Sequence, residues 1–419
     1  MVHHHFAHYL DVKFHNKSRI LRTISAGPVT RVDLARITGL SPATITTLVK
    51  ELLAAGLVVE TQALESMGGR PPILLEFNPD ARRAIGLSVD SKRIQAAVVN
   101  LAGAIVHLRE ESLHSTDPQQ LLPQVANLVR TLVAEAGLEW DWVAGVGVAV
   151  PGIVDPKQGV VRLSTVLGWR EVPLGPELSA LLGKPVLVQR NGNAAALAEA
   201  YFGKSEIQPN LLYLRLSSGI GAAVVAGGSV YTGTTGRAGE VGHMVLDPDG
   251  PLCRCGNRGC LEALASARAI TGRALEQIQA GRGRRMLELA GGDPEDLTVA
   301  HVIQAAQEGD PEAGALLEEA GRWIGLAIAG LVNFTDIHAV VLDGELSQAG
   351  ETLLQPVRET AMKAVLPSDG ARLQIWPSSL WPRAGVIGAA TLIIEEVLRF
   401  METEVKPRKR SRSPLPDPE

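Results

Sequence analysis

Cys253-Arg254-Cys255-Gly256-Asn257-Arg258-Gly259-Cys260 gathers all three cysteines of the chain into eight residues, and His243 lies shortly upstream. Three thiolates and one imidazole complete a closed tetrahedral donor set, the kind that holds structural Zn2+. Gly256 and Gly259 let the chain turn tightly enough for neighbouring sulfurs to face one ion. The alternative, three buried free cysteines, leaves their clustering unexplained. With no coordination position left open, such an ion holds a loop and activates no water. Glu240 and Glu262 flank the cluster. Carboxylates accept hydrogen bonds from adjacent hydroxyls, so a zinc-braced loop that aims both of them, with the free edge of His243, suits a polyol. A surface pair of acids is the plainer alternative.

These residues need a scaffold. A β-hairpin pattern spans Ile85–Val106, where Gln95–Val99 leads into Leu101-Ala102-Gly103. A related pattern spans Leu211–Tyr231, where Gly221–Val225 leads into Gly227-Gly228. Two matching α/β halves predict a bilobed fold with a ligand-binding cleft between the lobes. The length of 419 residues allows two to four domains at roughly 100–200 residues each. Hydrophobic residues at 46% and charged ones at 20% fit a folded chain, and aromatics at 4% leave its core to Ala, Val, Leu and Ile. The longest apolar runs, such as Trp142–Val154, fall short of the ~20 residues a bilayer span needs. The start has no cationic stretch followed by an apolar one, so no secretory signal is expected and the chain is placed in the cytoplasm. Three cysteines cannot close a disulfide framework.

The net charge of −5 argues against nucleic acid, but residues 1–83 carry ten Lys/Arg against seven Asp/Glu. A modestly basic head on an acidic body is compatible with a DNA-binding module. Three helices are predicted there. The first runs from about Lys17 to Ala26, with Ile20, Leu21 and Ile24 at helical spacing. Thr30 caps the second, which carries Val32, Leu34, Ala35 and Ile37. After a turn at Gly39-Leu40, Ser41 caps the third and Pro42 takes its first position. Ile45, Leu48, Val49 and Leu52 form its inward stripe; Ala43, Thr44, Thr46, Thr47 and Lys50 face outward. That is a helix-turn-helix. A small, hydroxyl-rich outer face suits entry into a major groove of double-stranded DNA; a solvated face on a three-helix bundle is the alternative. Strands at 56–60 and 73–77 bracket Met67-Gly68-Gly69-Arg70-Pro71-Pro72 as a wing whose Arg70 can enter a minor groove, or stand as a solvated charge. The histidines His3, His4, His5 and His8 and the basic run Lys406–Arg412 read as disordered tails, 1–15 and 403–419.

Across residues 16–396 the chain resembles the ROK family of sugar kinases and sugar-responsive repressors. The resemblance rests on Gly239-Glu240-Val241-Gly242-His243, the Cys253-to-Glu262 stretch, Pro151–Asp155, Leu167-Gly168-Trp169 and Asn193–Leu197. With its head, the chain is similar to the xylose and N-acetylglucosamine repressors of that family. The resemblance implies an α/β fold: an N-terminal winged helix-turn-helix (16–80), then a bilobed actin-like, ribonuclease H-like body with a zinc-stabilised loop. Lobe 1 is expected at 84–205, completed by a C-terminal helix at about 383–400, and lobe 2 at 206–382. Homodimers or homotetramers are implied, and a sugar site at Glu240, His243 and Glu262.

The departures bear on activity. The family's kinases wrap ATP phosphates with Asp-x-Gly-Gly-Thr, where this chain reads Ser88-Val89-Asp90-Ser91-Lys92. A phosphate needs the close backbone approach that glycines permit. The later loops read Ser217-Ser218-Gly219-Ile220-Gly221 and Asp343-Gly344-Glu345, and the catalytic Asp is replaced by Asn191. An amide accepts no proton at pH 7, a loss worth about 10²–10⁴-fold in rate. No ATP use and no catalytic residue are expected. A sugar-contacting Asn is Arg190, another is Val166, and Arg190 and Asn191 join the candidate ligand residues, with Arg190 favouring an anionic sugar derivative. The expectation is a transcriptional regulator, a repressor by resemblance, whose inactive body senses a sugar or sugar derivative. Two rivals remain: a sugar kinase with an added head, and a DNA-binding protein that ignores ligands.

Overall fold

The computed structural model describes residues 16–17, 19–21, 23–25, 27–62, 73–90, 92–204 and 208–400. The expected tails and the wing tip with Arg70 lie outside the described residues. The chain divides into two units. One takes the residues up to Arg83, Asn100–Ala102 and the chain from Ile393; the other takes Ala84–Val99 and Gly103–Leu392.

In the first unit, residues 16–17, 19–21 and 23–25 are helical (α1). Two further helices follow, α2 (Arg31–Thr38) and α3 (Pro42–Ala54). Thr30 caps α2 by accepting from the Asp33 amide, and Ser41 caps α3 by accepting from the Thr44 amide. Each cap satisfies a donor the helix start would leave orphaned. Ile20, Ile24, Leu34, Ile45, Leu48, Val49 and Leu52 are buried together as the head's core. The Lys17 ammonium is buried on α1 and pairs with Glu51 of α3 at 2.7 Å. Strands β1 (Val58–Gln62) and β2 (Ile73–Phe77) pair antiparallel with Val58 opposite Phe77, and Val29 bridges Leu75 on the outer side of β2. Helix, turn, helix and hairpin make the winged module. In α2 the apolar pattern overstates the buried face: Leu34 is buried, but Val32 is 79% and Ile37 57% exposed.

The second unit repeats one plan twice. Its first half runs β3 (Arg83–Val89), β4 (Arg93–Asn100), β5 (Ile105–Ser112), α4 (Pro118–Glu135), β6 (Val143–Val150), a small sheet of β7 (Ile153–Asp155), β8 (Val160–Ser164) and β9 (Trp169–Val172), then α5 (Leu174–Leu182), β10 (Val186–Arg190) and α6 (Asn191–Phe202). Its second half runs β11 (Leu211–Leu216), β12 (Ile220–Ala226), β13 (Ser229–Tyr231), α7 (Leu261–Ala265), α8 (Ala267–Gln279), α9 (Arg284–Leu289), α10 (Val299–Gln307), α11 (Pro311–Thr335), β14 (Ala339–Asp343), α12 (Glu351–Ala364), β15 (Gln374–Pro377) and α13 (Ala384–Phe400). The large sheets are ordered β10-β6-β3-β4-β5 and β15-β14-β11-β12-β13, the same arrangement in each lobe. β6 and β10 run parallel, as do β11, β14 and β15. Parallel strands need both faces covered. Helices α4 and α5 cover one face of the first sheet, and α7, α8, α10, α11 and α12 cover one face of the second.

The remaining faces are closed by α6 and α13. Ala195, Ala196 and Ala200 of α6 pack on Tyr213, Ala223 and Val225 of the second sheet. α13 approaches β6 at backbone distance: a Cβ on Gly147 would stand 1.7 Å from the Ala389 carbonyl oxygen. The obstacle is helix backbone and cannot rotate away. Gly147→Ala should therefore cost about 3 kcal/mol or more, the upper range for overpacking. A urea unfolding midpoint close to that of the wild type would refute this packing. Among the described residues no helix is long and apolar enough to cross a membrane.

Candidate functional site

The metal-ligating residues come from three local structures. A 3₁₀ turn at Val241–His243 delivers His243, a tight loop delivers Cys253 and Cys255, and Cys260 caps α7. The loop is closed by the Cys253 amide donating to the Asn257 carbonyl at 2.7 Å and by bridges from Val245 to Cys260 and Leu252 to Arg258. Gly259 has φ +61°, and a Cβ there would lie 1.5 Å from the Asp247 carbonyl oxygen, so no other residue fits. The imidazole and three thiol ligand atoms lie within 4.8 Å of one another. Cys253 Sγ is 3.8 Å from His243 Nδ1, and Cys255 Sγ is 3.6 Å from Cys260 Sγ. A tetrahedral ion with Zn–S bonds of about 2.3 Å spaces its sulfurs about 3.8 Å apart, so the group is positioned to bind a metal ion. The Asn257 amide holds the Cys255 thiol below its ordinary value, while burial and the neighbouring thiols push Cys260 up to about 12. A bound cation would lower both, because ligating thiols deprotonate on it.

Beside this centre lie the acidic residues. Glu240 directly precedes the 3₁₀ turn and Glu262 is the second residue of α7. Each is held by an arginine. Glu240 Oε1 accepts from Arg190 Nη1 at 2.7 Å. Glu262 Oε1 accepts from Arg268 Nη2 at 2.9 Å, and its Oε2 accepts from the Ile220 amide at 3.2 Å. The sequence pattern pointed to two carboxylates aimed at hydroxyls; the structure gives each a cation first. Arg190 differs from expectation more strongly. It ends β10 on the first sheet, and its Nη2 donates to the Ala222 and Ala238 carbonyls, both at 2.9 Å. Its side chain is only 14% exposed. Arg190 is thus a strut between lobes, and its ion-pair partner Glu240 is half exposed. Asn191 opens α6 and donates weakly to the Val89 carbonyl at 3.4 Å. Arg268 went unnoticed in the sequence: the Ser266 break between α7 and α8 separates it from Glu262, so the pair falls outside helical spacing.

The loops that follow β3 and β11 are closed on carboxylates. Asp90 Oδ1 accepts from the Lys92 and Arg93 amides at 2.8 and 3.0 Å, and its Oδ2 pairs with Arg93 Nε at 3.2 Å. Ser217 Oγ donates to Glu345 at 3.2 Å.

On α3 of the head, Ser41, Pro42, Ala43, Thr46, Thr47 and Lys50 are exposed and Thr44 is partly so. Thr46 and Thr47 hydroxyls donate to the Pro42 and Ala43 carbonyls at 2.8 and 3.0 Å. That leaves their oxygens able to accept a further hydrogen bond.

Residues 84–396 match the model of the ROK family, three-quarters of the chain. The chain belongs to the ROK family. Residues 10–64, ahead of the ROK body, match the MarR family model. The chain is 31% identical over 391 residues to a putative xylose repressor of Caldicellulosiruptor sp. strain Rt8B.4, covering 93% of this chain and 98% of that one. A crystal structure of a ROK family transcriptional regulator, a homologue of the E. coli MLC protein, is similar with a TM-score of 0.78 at 30% identity, over 93% of this chain and 97% of that one. A glucokinase of Thermotoga maritima is 32% identical over 317 residues, 75% of this chain and 98% of the enzyme. The repressor and regulator thus match head and body together, whereas the ROK glucokinase is spanned almost whole by three-quarters of this chain.

Proposed function

We propose that this ROK protein is a DNA-binding transcriptional repressor whose kinase-like body senses a sugar-type molecule. One observation carries the reading: the relatives that run the length of this chain, winged head included, are a repressor and a transcriptional regulator. Residues Ser41, Pro42, Ala43, Thr44, Thr46, Thr47 and Lys50 would meet the major groove of an operator. Arg70, outside the described residues, would reach the minor groove. His243, Cys253, Cys255 and Cys260 would hold a structural zinc. The protein would act as a homodimer or homotetramer, with paired heads on two half-sites. Ligand binding then matters only insofar as one arrangement of the assembly binds it better. A tenfold change in DNA affinity needs about 1.4 kcal/mol of such preference.

The same geometry supports loss of phosphoryl transfer. A loop that wraps phosphates offers free backbone N–H donors, but here the Lys92 and Arg93 amides are taken by the Asp90 carboxylate. That carboxylate fills the cradle and repels a polyanion. Glu345 accepts from the Ser217 hydroxyl and would add a second negative charge beside the later loop. By the family resemblance, Asn191 would stand where the kinases place a general base. Positioning and charge stabilisation, the main sources of phosphoryl-transfer catalysis, would then both be weakened.

Incubating the purified full-length chain with fragments of its host genome should enrich a short, partly palindromic site. No ATP consumption should accompany a panel of hexoses and amino sugars. Turnover at ordinary kinase rates, with no fragment enriched, would overturn the reading in favour of an enzyme.

A further inference from the structure

We propose that the cleft of this ROK body is closed by an internal ion pair, Arg190 with Glu240, and that its effector is an anionic sugar derivative that takes the place of Glu240. The proposal rests on the ligand-sensing reading above and deepens it by naming the class of ligand. Arg190 is supplied by β10 of the first sheet; its acceptors Ala222, Ala238 and Glu240 come from the other lobe. Two of those acceptors are backbone carbonyls, fixed in the fold. Nη2 also lies 3.4 Å from Asn193 Oδ1. These contacts hold the guanidinium in place whatever happens at Nη1. Glu240 is different: its side chain is 50% exposed against 14% for Arg190. The arginine is the fixed partner and the glutamate the replaceable one.

This asymmetry selects the ligand. A neutral sugar drawing Glu240 onto its hydroxyls would leave a largely buried guanidinium with carbonyl partners but no counter-ion, which costs part of what breaking a fully buried pair costs. A carboxylate or phosphate oxygen at Nη1 exchanges one ion pair for another and leaves no charge unpaired. The freed Glu240 can then accept hydrogen bonds from the ligand's hydroxyls. α6 starts at Asn191 with no side-chain cap on its first amides, which places the positive end of the helix next to the same guanidinium. Glu262 needs no rearrangement, because Arg268 and the Ile220 amide already fix it.

Calorimetric titration of the full-length protein with gluconate, glucose 6-phosphate and glucose tests the exchange. At least one of the two anions should bind and glucose should not. The preferred anion distinguishes a carboxylate from a phosphate ligand. Glu240→Gln removes the internal competitor and should tighten anion binding about tenfold. Arg190→Asn should abolish it. Because Glu240 is half exposed, its variant remains informative even where Arg190→Asn fails to fold. Glucose binding as tightly as either anion, Glu240→Gln leaving anion affinity unchanged or weaker, or no binding of any of the three probes would each overturn the proposal. Operator binding by the same preparation is read separately: a chain that holds DNA but none of the probes keeps the repressor reading and loses this one.

Discussion

Cys255→Ser should abolish the metal binding proposed for the loop and lower the melting temperature by about 5 °C. Loss of a bound metal belongs to the few single changes that cost more than ~4 kcal/mol. At about 2.1 cal/mol/K per residue, a chain of 419 residues moves its Tm by roughly 1 °C for each kcal/mol. Cys255 is the informative position because it is exposed, whereas Cys253 and Cys260 are buried. Replacing an exposed sulfur by oxygen leaves no cavity, so any loss of stability reports the ion and not the packing. The loop has little apolar core to fall back on: Val245 is 48% and Leu252 67% exposed. Without a cation, Cys260 stays a neutral thiol at physiological pH, since burial lifts it to about 12. Elemental analysis and calorimetry on wild type and variant check the result together. Unchanged zinc content and an unchanged Tm would remove the metal assignment. Zinc lost with Tm unmoved would mean that the turn at Gly259 and the bridge from Val245 to Cys260 hold the loop unaided.

What the sequence revealed was local. The caps Thr30 and Ser41, the Pro42 start and the inward stripe of α3 were legible because each depends on neighbours within one helical turn. The metal ligands were legible because a small turn must bring them together, so their spacing is itself the signal. The repeated halves were visible only at their hairpins. The matching placement of β6 with β14, and of β10 with β15, was not, because strands buried on both faces lack the alternation that marks a hairpin. Long-range ion pairs were invisible. Arg190 and Glu240 are fifty residues apart and meet only because α6 and β12 pack together. Periodicity likewise marked Val32 and Ile37 as apolar without saying that, among the described residues, they would stay exposed.

Thr46→Asp should weaken operator binding at least about 100-fold at physiological salt. The substitution is chosen to leave the head folded. Thr46 is exposed, outside the stripe of Ile45, Leu48, Val49 and Leu52, and among the described residues its hydroxyl is bonded to the Pro42 carbonyl of its own helix alone. Thr and Asp have similar helix propensities and the position is exposed, so stability should hold. In a major groove the same carboxylate faces two rows of phosphates and replaces a side chain able to contact bases. Loss of one good base contact alone is worth about 1–3 kcal/mol, and the added repulsion compounds it. Lys50→Ala acts through a different term. Lys50 is exposed one turn further along the helix. If it meets a phosphate, its loss lowers affinity for all duplexes alike and reduces the slope of log affinity against log salt by about one. Fluorescence anisotropy with the selected operator and a scrambled duplex, across several salt concentrations, separates the two. An operator affinity untouched by Thr46→Asp, with the melting temperature preserved, would mean that this face of α3 meets solvent and that the head engages DNA, if at all, by another surface.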